Sequence, residues 1–197
     1  MKRLIIGLSG ASGIIYGIRL LEVLQTVDDV ETHLVMSAAS RRTLKLETDY
    51  SLAEVEALAD KLYNFNDIAA AISSGSYKTI GMVVIPCSIK TLSGITHSYS
   101  DNLLLRAADV VLKDRRKLVL ALRETPLHAG HIQLMAQATE MGAIIMPPMP
   151  AFYHRPQTLN DIINQTVNRL LDIFDIELPD DLFQRWGGDE RRATNDE

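Results

Sequence analysis

Five short runs along the chain are apolar at nearly every position: Arg3 to Leu8, Thr32 to Met36, Gly81 to Ile85, Leu118 to Leu122 and Ala143 to Met146. Strands with one wet face alternate apolar and polar residues, so uninterrupted runs predict a parallel sheet covered on both faces. The stretches between them carry helix-start signals. Ser51-Leu-Ala-Glu54 is a capping box, Thr125-Pro126 places a cap before a first-turn proline, and Thr158-Leu-Asn-Asp161 opens an amphipathic helix over Leu159 to Phe174. Strand and helix alternate, which predicts an α/β fold: a single-domain Rossmann-like or flavodoxin-like open parallel sheet with helices on both faces. Ligands of such sheets collect at the carboxyl ends of the strands. No internal repeat is evident.

Length and composition narrow this picture. With 197 residues, 47% of them hydrophobic, the chain suffices for one well-buried core and is short for two ordinary domains. One domain is expected over residues 1–186, followed by a polar tail over residues 187–197 with little to bury, which reads as mobile. The net charge of −5 has no basic block to offset it, which argues against a nucleic-acid or membrane surface and for a small ligand. Cys87 is the single cysteine and has no internal partner. The N-terminus is strand-like rather than leader-like, and no apolar run reaches a membrane span, so a cytoplasmic protein is expected.

Candidate chemistry sits where the strand ends are expected. The first run passes into Gly7-Leu8-Ser9-Gly10-Ala11-Ser12-Gly13, a tight turn into a helix in which glycines allow close backbone approach and Ser9 and Ser12 bring hydroxyls beside free N–H groups. The spacing matches neither a P-loop nor the dinucleotide motif G-x-G-x-x-G. Ser37 follows the second run, Pro86-Cys87-Ser88-Ile89-Lys90-Thr91 the third, and Arg123-Glu124-Thr125 the fourth. Four such ends over one crevice favour a phosphate-bearing ligand over simple capping. Downstream, Pro147 to Pro156 is stiff and aromatic, suited to a pocket wall, a subunit contact or a surface crossover. Each charged candidate has a plain alternative. Arg106 and Lys113, seven apart with Asp109 between, fit a solvated helix face; Glu47 fits a cap; Glu124 beside Arg123 fits a surface ion pair; Arg169 fits a solvent-facing position. Cys87 reads as packing, and His128 and His131 lack further ligands at metal spacing, so no metal is expected.

In order along the chain, Gly7-Leu-Ser-Gly-Ala-Ser-Gly13, Glu47-Thr-Asp49, Ser73-Ser-Gly-Ser76, Pro86-Cys-Ser88, Arg106 to Lys113, Arg123-Glu124-Thr-Pro126 and Pro148-Met-Pro-Ala-Phe-Tyr-His154 resemble the flavin prenyltransferases of the UbiX and Pad1 family. The resemblance covers nearly the whole chain. It implies transfer of a dimethylallyl group from dimethylallyl monophosphate to N5 and C6 of reduced FMN, giving prenylated FMN for a UbiD-type decarboxylase, as in ubiquinone synthesis. It implies FMN contacts at Gly10, Ala11, Ser12, Ser37, Ser88, Ile89, Lys90, Thr91 and Arg123, and prenyl-phosphate contacts at Arg106, Lys113, Tyr153 and Arg169. Glu47 and Glu124 would be the acid-base carboxylates, with Ser12 close to the reacting centre. It further implies a homododecamer with sites at subunit junctions, so that Tyr153 and Arg169 enter a neighbour's site.

The chemistry fits those residue types. Breaking an allylic carbon–oxygen bond puts positive charge on the dimethylallyl fragment and more negative charge on the phosphate, which arginine, lysine and tyrosine donors stabilise. A proton must later leave the ring, a task for a carboxylate or the released phosphate. The Asp-Asp-x-x-Asp magnesium clamp of diphosphate enzymes is absent after both Asp28-Asp29 and Asp180-Asp181. Oxidative decarboxylation of a cysteinyl substrate is the runner-up, although its histidine and Pro-x-Met-Asn segment are missing; a flavin carrier without chemistry is a third reading. Two departures from the family stand out: Ala38, rather than lysine, follows Ser37, and the only tryptophan is Trp186, not one before Ser73.

Overall fold

Successive residues of β1 (Lys2–Leu8) point to opposite faces of a sheet, and both faces are covered. Ile5 packs with Val35, Met82, Val84, Leu118 and Leu120 beneath Leu104, Ala108 and Val111 of α5 (Leu103–Lys113). Leu4, Ile6 and Leu8, fully buried, face the other way, where α1 (Ile14–Leu24) lies over the strands. This double burial is why the strands read as unbroken apolar runs. The computed structural model describes residues 1–187; beyond the exposed Gly187, the tail expected to be mobile lies outside the described residues. The chain divides into two compact units, Met1–Pro148 and Met149–Glu197.

The first unit holds a six-stranded sheet of order β3-β2-β1-β4-β5-β6, every neighbouring pair parallel. The other strands are β2 (Val30–Met36), β3 (Lys61–Tyr63), β4 (Gly81–Cys87), β5 (Lys117–Leu122) and β6 (Ile144–Ile145). Leu4 of β1 stands between Thr32 of β2 and Gly81 of β4. The chain therefore builds outward on one side of β1, then returns to build on the other, and the strand order reverses between β1 and β4. The expected doubly wound α/β architecture is observed, with one strand more than the apolar runs indicate. β3 escapes the sequence pattern because it has three residues, two of them exposed, at an edge.

Helices fill the crossovers: α2 (Ala38–Glu47), α3 (Leu52–Ala57), α4 (Ile89–Thr96) and α6 (Ala129–Glu140), beside α1 and α5. The capping box at Ser51 and Glu54 forms as expected. Thr125-Pro126 does not start a helix. α6 begins at Ala129, where the ring nitrogen Nδ1 of His128 accepts from the Gly130 N–H at 3.1 Å, while the Thr125 N–H turns back to the Glu124 carboxylate at 3.0 Å. The His128 ring also lies against that of His131, centroids 3.6 Å apart and planes tilted by 34°. In the second unit, α7 (Leu159–Ile173) opens on a second capping box, Thr158 with Asp161. Among the described residues no helix is long and apolar enough to cross a membrane.

One buried side chain ties stability to pH. His33 on β2 is fully buried; its Nδ1 meets the Tyr63 hydroxyl at 3.0 Å, and its Nε2, 3.8 Å from a Glu31 oxygen, has no hydrogen-bond partner. Burial lowers its pKa from the ordinary histidine value, with Arg3 and Lys61 acting the same way and Glu31 and Asp60 opposing. The unfolded chain then binds a proton that the folded chain refuses. His33 therefore contributes stability that is complete above the unfolded histidine pKa of about 6.5 and is lost as pH falls toward the depressed folded value. The melting temperature is expected to drop as pH is lowered through that window, and less steeply in His33→Phe. Equal slopes in the two proteins would remove His33 as the cause.

Candidate active site

The strand ends on either side of the reversal are sewn together by Ser9. Its side chain, 1% exposed, donates from Oγ to the Pro86 carbonyl at 2.9 Å and accepts from the Ser88 N–H at 2.8 Å. Backbone bonds extend the seam: Ser37 N to Leu8 O and Arg123 N to Cys87 O, both 3.0 Å. The four strand ends expected to converge thus lie side by side. Ser9 differs from expectation, since its one hydroxyl proton is given to the Pro86 carbonyl and is not available to a phosphate.

Helix starts line this crevice. Ser37 caps α2, accepting from the Ser40 N–H at 3.0 Å, and Ser88 caps α4, accepting from the Thr91 N–H at 3.2 Å with the Thr91 hydroxyl 3.1 Å away. Neither α1, α2 nor α4 carries an acidic residue in its first turn, whereas α3 and α7 do. Positive helix ends without their own counter-charges favour an incoming anion. Lys90 in the first turn of α4 and Arg123 beyond β5 are exposed and have no carboxylate partner among the described residues. A lysine at a helix start is unfavourable by itself and becomes favourable beside a bound anion.

The turn after β1 has an unexpected cap. Gly13, with φ of 94°, occupies the N-cap of α1 and offers no side chain. Glu47, the last residue of α2, reaches across instead: its Oε2 accepts from the Gly13 N–H at 2.8 Å and the Ile14 N–H at 3.3 Å. Glu47 caps, as its plain alternative held, but it caps the helix of the glycine turn. Ser12 is not the cap; it lies exposed beside this carboxylate. At Gly10 a Cβ would stand 2.3 Å from the Ala39 Cβ, so only glycine lets the turn approach α2 and leave bare backbone facing the crevice. Bare backbone, hydroxyls, helix ends and two cations suit a flat ligand with a phosphate.

Glu124 lies beside Arg123 without pairing to it, its carboxylate held by the Thr125 N–H. Arg106, in the first turns of α5, donates to the Ser73 carbonyl at 3.2 Å and to Asp109 at 3.0 Å. Lys113 ends α5, about 10 Å further along its axis, and pairs with Asp114 at 2.6 Å. Because α5 runs back toward the start of parallel β5, Lys113 lies at the rim opposite the strand ends. In the second unit, Tyr153 and Arg169 border one cleft of about 680 Å³ with Gln165, Phe183, Arg185 and Trp186. Sequence reasoning had no signal for Gln165 or Arg185, which become visible only through the bond of Gln165 to Tyr153 and the Asp172 carboxylate that Arg185 shares with Arg169. Cys87 is fully buried; burial pushes its thiol up to about 12, and it packs as a neutral group.

A parallel sheet with an anion-adapted crevice at its strand-order reversal defines a nucleotide- or flavin-binding class of protein. A family model described as Flavoprotein matches residues 1–171. The chain is 71% identical over 188 residues to flavin prenyltransferase UbiX of Escherichia coli (strain K12), covering 95% of this chain and all of that protein. It superposes with a TM-score of 0.92 on the crystal structure of AnUbiX (PadA1) in complex with FMN and dimethylallyl pyrophosphate, at 48% identity over 96% of this chain and 99% of that one. A dodecameric FMN-dependent Ubix-like decarboxylase from Escherichia coli O157:H7 gives a TM-score of 0.90 at 52% identity over 94% and 99% of the two chains. The chain belongs to the Flavoprotein family and, within it, to the flavin prenyltransferases.

Proposed function

We propose that the protein joins the dimethylallyl group of dimethylallyl monophosphate to N5 and C6 of reduced FMN, and that the prenylated FMN serves a UbiD-type decarboxylase. The observation that carries the reading is the crevice at the reversal, where helix starts free of acidic residues meet Lys90 and Arg123, which have no carboxylate partner among the described residues. AnUbiX, similar over nearly its whole length, was crystallised with FMN and dimethylallyl pyrophosphate. Gly10, Ala11, Ser12, Ser37, Ser88, Ile89, Lys90, Thr91 and Arg123 hold the flavin, whose electron-rich ring accepts the allylic carbon. Arg106, Lys113, Tyr153 and Arg169 take the phosphate as it gains charge. Glu47 keeps Oε1 for a proton while Oε2 holds the helix start, and Glu124 is the second carboxylate.

Arg106 and Lys113 both abut the segment from Ser73 to Gly75, so one flank of α5 carries both cations, and in this reading an assembly brings the remaining donors to it. The assembly is a homododecamer in which Tyr153 and Arg169 complete a neighbouring subunit's site and residues 1–186 work as one prenyltransferase domain. Neither nucleic acid nor a membrane takes part, and the protein works in the cytoplasm. Incubated without oxygen with reduced FMN and dimethylallyl monophosphate, the protein is expected to yield a flavin heavier by one C5 unit in mass spectrometry. A parallel reaction with the diphosphate decides donor preference. An unchanged flavin mass at saturating donor would overturn the reading, and carbon dioxide release from a cysteinyl peptide would support decarboxylation instead.

A further inference from the structure

Arg169 shares its carboxylate partner with a second arginine. Asp172, three residues on along α7, accepts from Arg169 Nη1 at 2.9 Å. Arg185 grips the same carboxylate with two bonds, Nη1 to Oδ2 at 2.9 Å and Nη2 to Oδ1 at 2.8 Å. Asp181 anchors Arg185 in turn through Nε at 2.6 Å and Nη2 at 2.7 Å, and the guanidinium carbon lies 5.9 Å from the Phe183 ring centroid. The segment is tied to α7 where the Leu182 N–H donates to Oδ1 of buried Asn168 at 2.8 Å. Hydrogen bonding to Arg185 holds the Asp172 carboxyl below the usual carboxylate range.

An ionised Asp172 with no other partner would be the natural counter-ion of Arg169 and would compete with any anionic ligand for it. Arg185 occupies both oxygens of that carboxylate, so Arg169 commits one N–H and keeps the rest of its fork for the cleft. The two arginines and two aspartates sum to zero charge; without Arg185 the group would carry −1 beside the phosphate. Across the cleft, Gln165, 8% exposed, donates from Nε2 to the Tyr153 hydroxyl oxygen at 3.3 Å. That oxygen accepts, which leaves the hydroxyl proton to be donated elsewhere, and Tyr153 borders the same cleft.

We propose that Arg185 and Gln165 are positioning residues for the prenyl phosphate, Arg185 by holding Asp172 off Arg169 and Gln165 by leaving the Tyr153 hydroxyl proton free for the phosphate. The proposal rests on the assignment of Tyr153 and Arg169 to that phosphate. Neither residue needs to touch the ligand.

Steady-state kinetics of the full chain with reduced FMN and varied dimethylallyl monophosphate tests it. Arg185→Gln is expected to raise KM for the prenyl phosphate about tenfold, the weight of one charge-assisted hydrogen bond, with FMN affinity unchanged. Adding Asp172→Asn should return KM to within about threefold of the starting value, because the competing charge is gone. A residue that merely braced the segment would not be rescued this way. Gln165→Glu should also raise KM, since a carboxylate captures the Tyr153 proton. An unchanged KM in Arg185→Gln, or no rescue by Asp172→Asn, overturns the proposal. Should Arg185→Gln not fold, Asp172→Asn alone decides: KM at or below the starting value supports the proposal, and a raised KM overturns it. Arg169→Gln separates the two levels. If it leaves KM unchanged, the phosphate assignment itself falls; if it raises KM while Arg185→Gln does not, only the positioning role falls.

Discussion

Glu47→Gln is expected to slow flavin prenylation by about 10²- to 10⁴-fold, the range associated with losing a positioned general acid or base. The fold should barely register the change. Glutamine keeps a carbonyl oxygen that can accept from the Gly13 and Ile14 N–H groups where Glu47 Oε2 now does, at 2.8 and 3.3 Å. What it loses is the negative charge at the start of α1, worth about 0.3–1 kcal/mol at an exposed helix end, and the capacity to take a proton. Single-turnover formation of the C5-bearing flavin, beside a thermal melt, separates the two roles. If Glu47 only caps α1, turnover survives with the melt. If it is a proton acceptor, turnover collapses while the melting temperature shifts by no more than a few degrees.

Ser9→Ala is expected to cost roughly 2–4 kcal/mol of stability, because it strands the Ser88 N–H and one bond of the Pro86 carbonyl in a site with almost no access to water. In a chain of this length that lowers the melting temperature by something like 5–15 °C. The loss should not be confined to stability. Ser9 fixes the start of α4 against the turn after β1, so flavin affinity should fall in the same variant, measurable by fluorescence titration at a temperature where it remains folded. A Ser9→Ala protein with unaltered melting and flavin binding would show that the seam is held by backbone bonds alone.

Ser9 also illustrates what can be read along the chain. Its place at the end of a buried run was legible; its role was not, because a hydroxyl that binds a phosphate and one that joins two loops look identical until the partner loop, from Pro86 onward, is placed beside it. The strands β1, β4 and β5 were legible because both faces are buried and most residues are apolar, and β2 through its closing Leu34, Val35 and Met36 although Glu31, Thr32 and His33 interrupt it. β3 was hidden by its exposure, and the start of α6 was misplaced because Thr125 and Pro126 satisfy a local capping rule that the chain does not use, His128 supplying the cap. Arg106 and Lys113 share a helix face by spacing, and both reach the segment from Ser73 to Gly75, a partner that no spacing rule names. The Asp172 and Arg185 pairing had no local signature, since its members are thirteen residues apart and join only through folding.

The sheet ends at β3 on one side and β6 on the other, strands of three and two residues. A stranger's strand laid against either margin would find room for only two or three ladder bonds, too few to repay the ordering of its backbone. The termini of the sheet thus act as guards against runaway lateral growth into fibrils. In the assembly proposed above, copies of this chain would meet through side-chain surfaces, where geometry can close a finite shell instead of extending a ribbon.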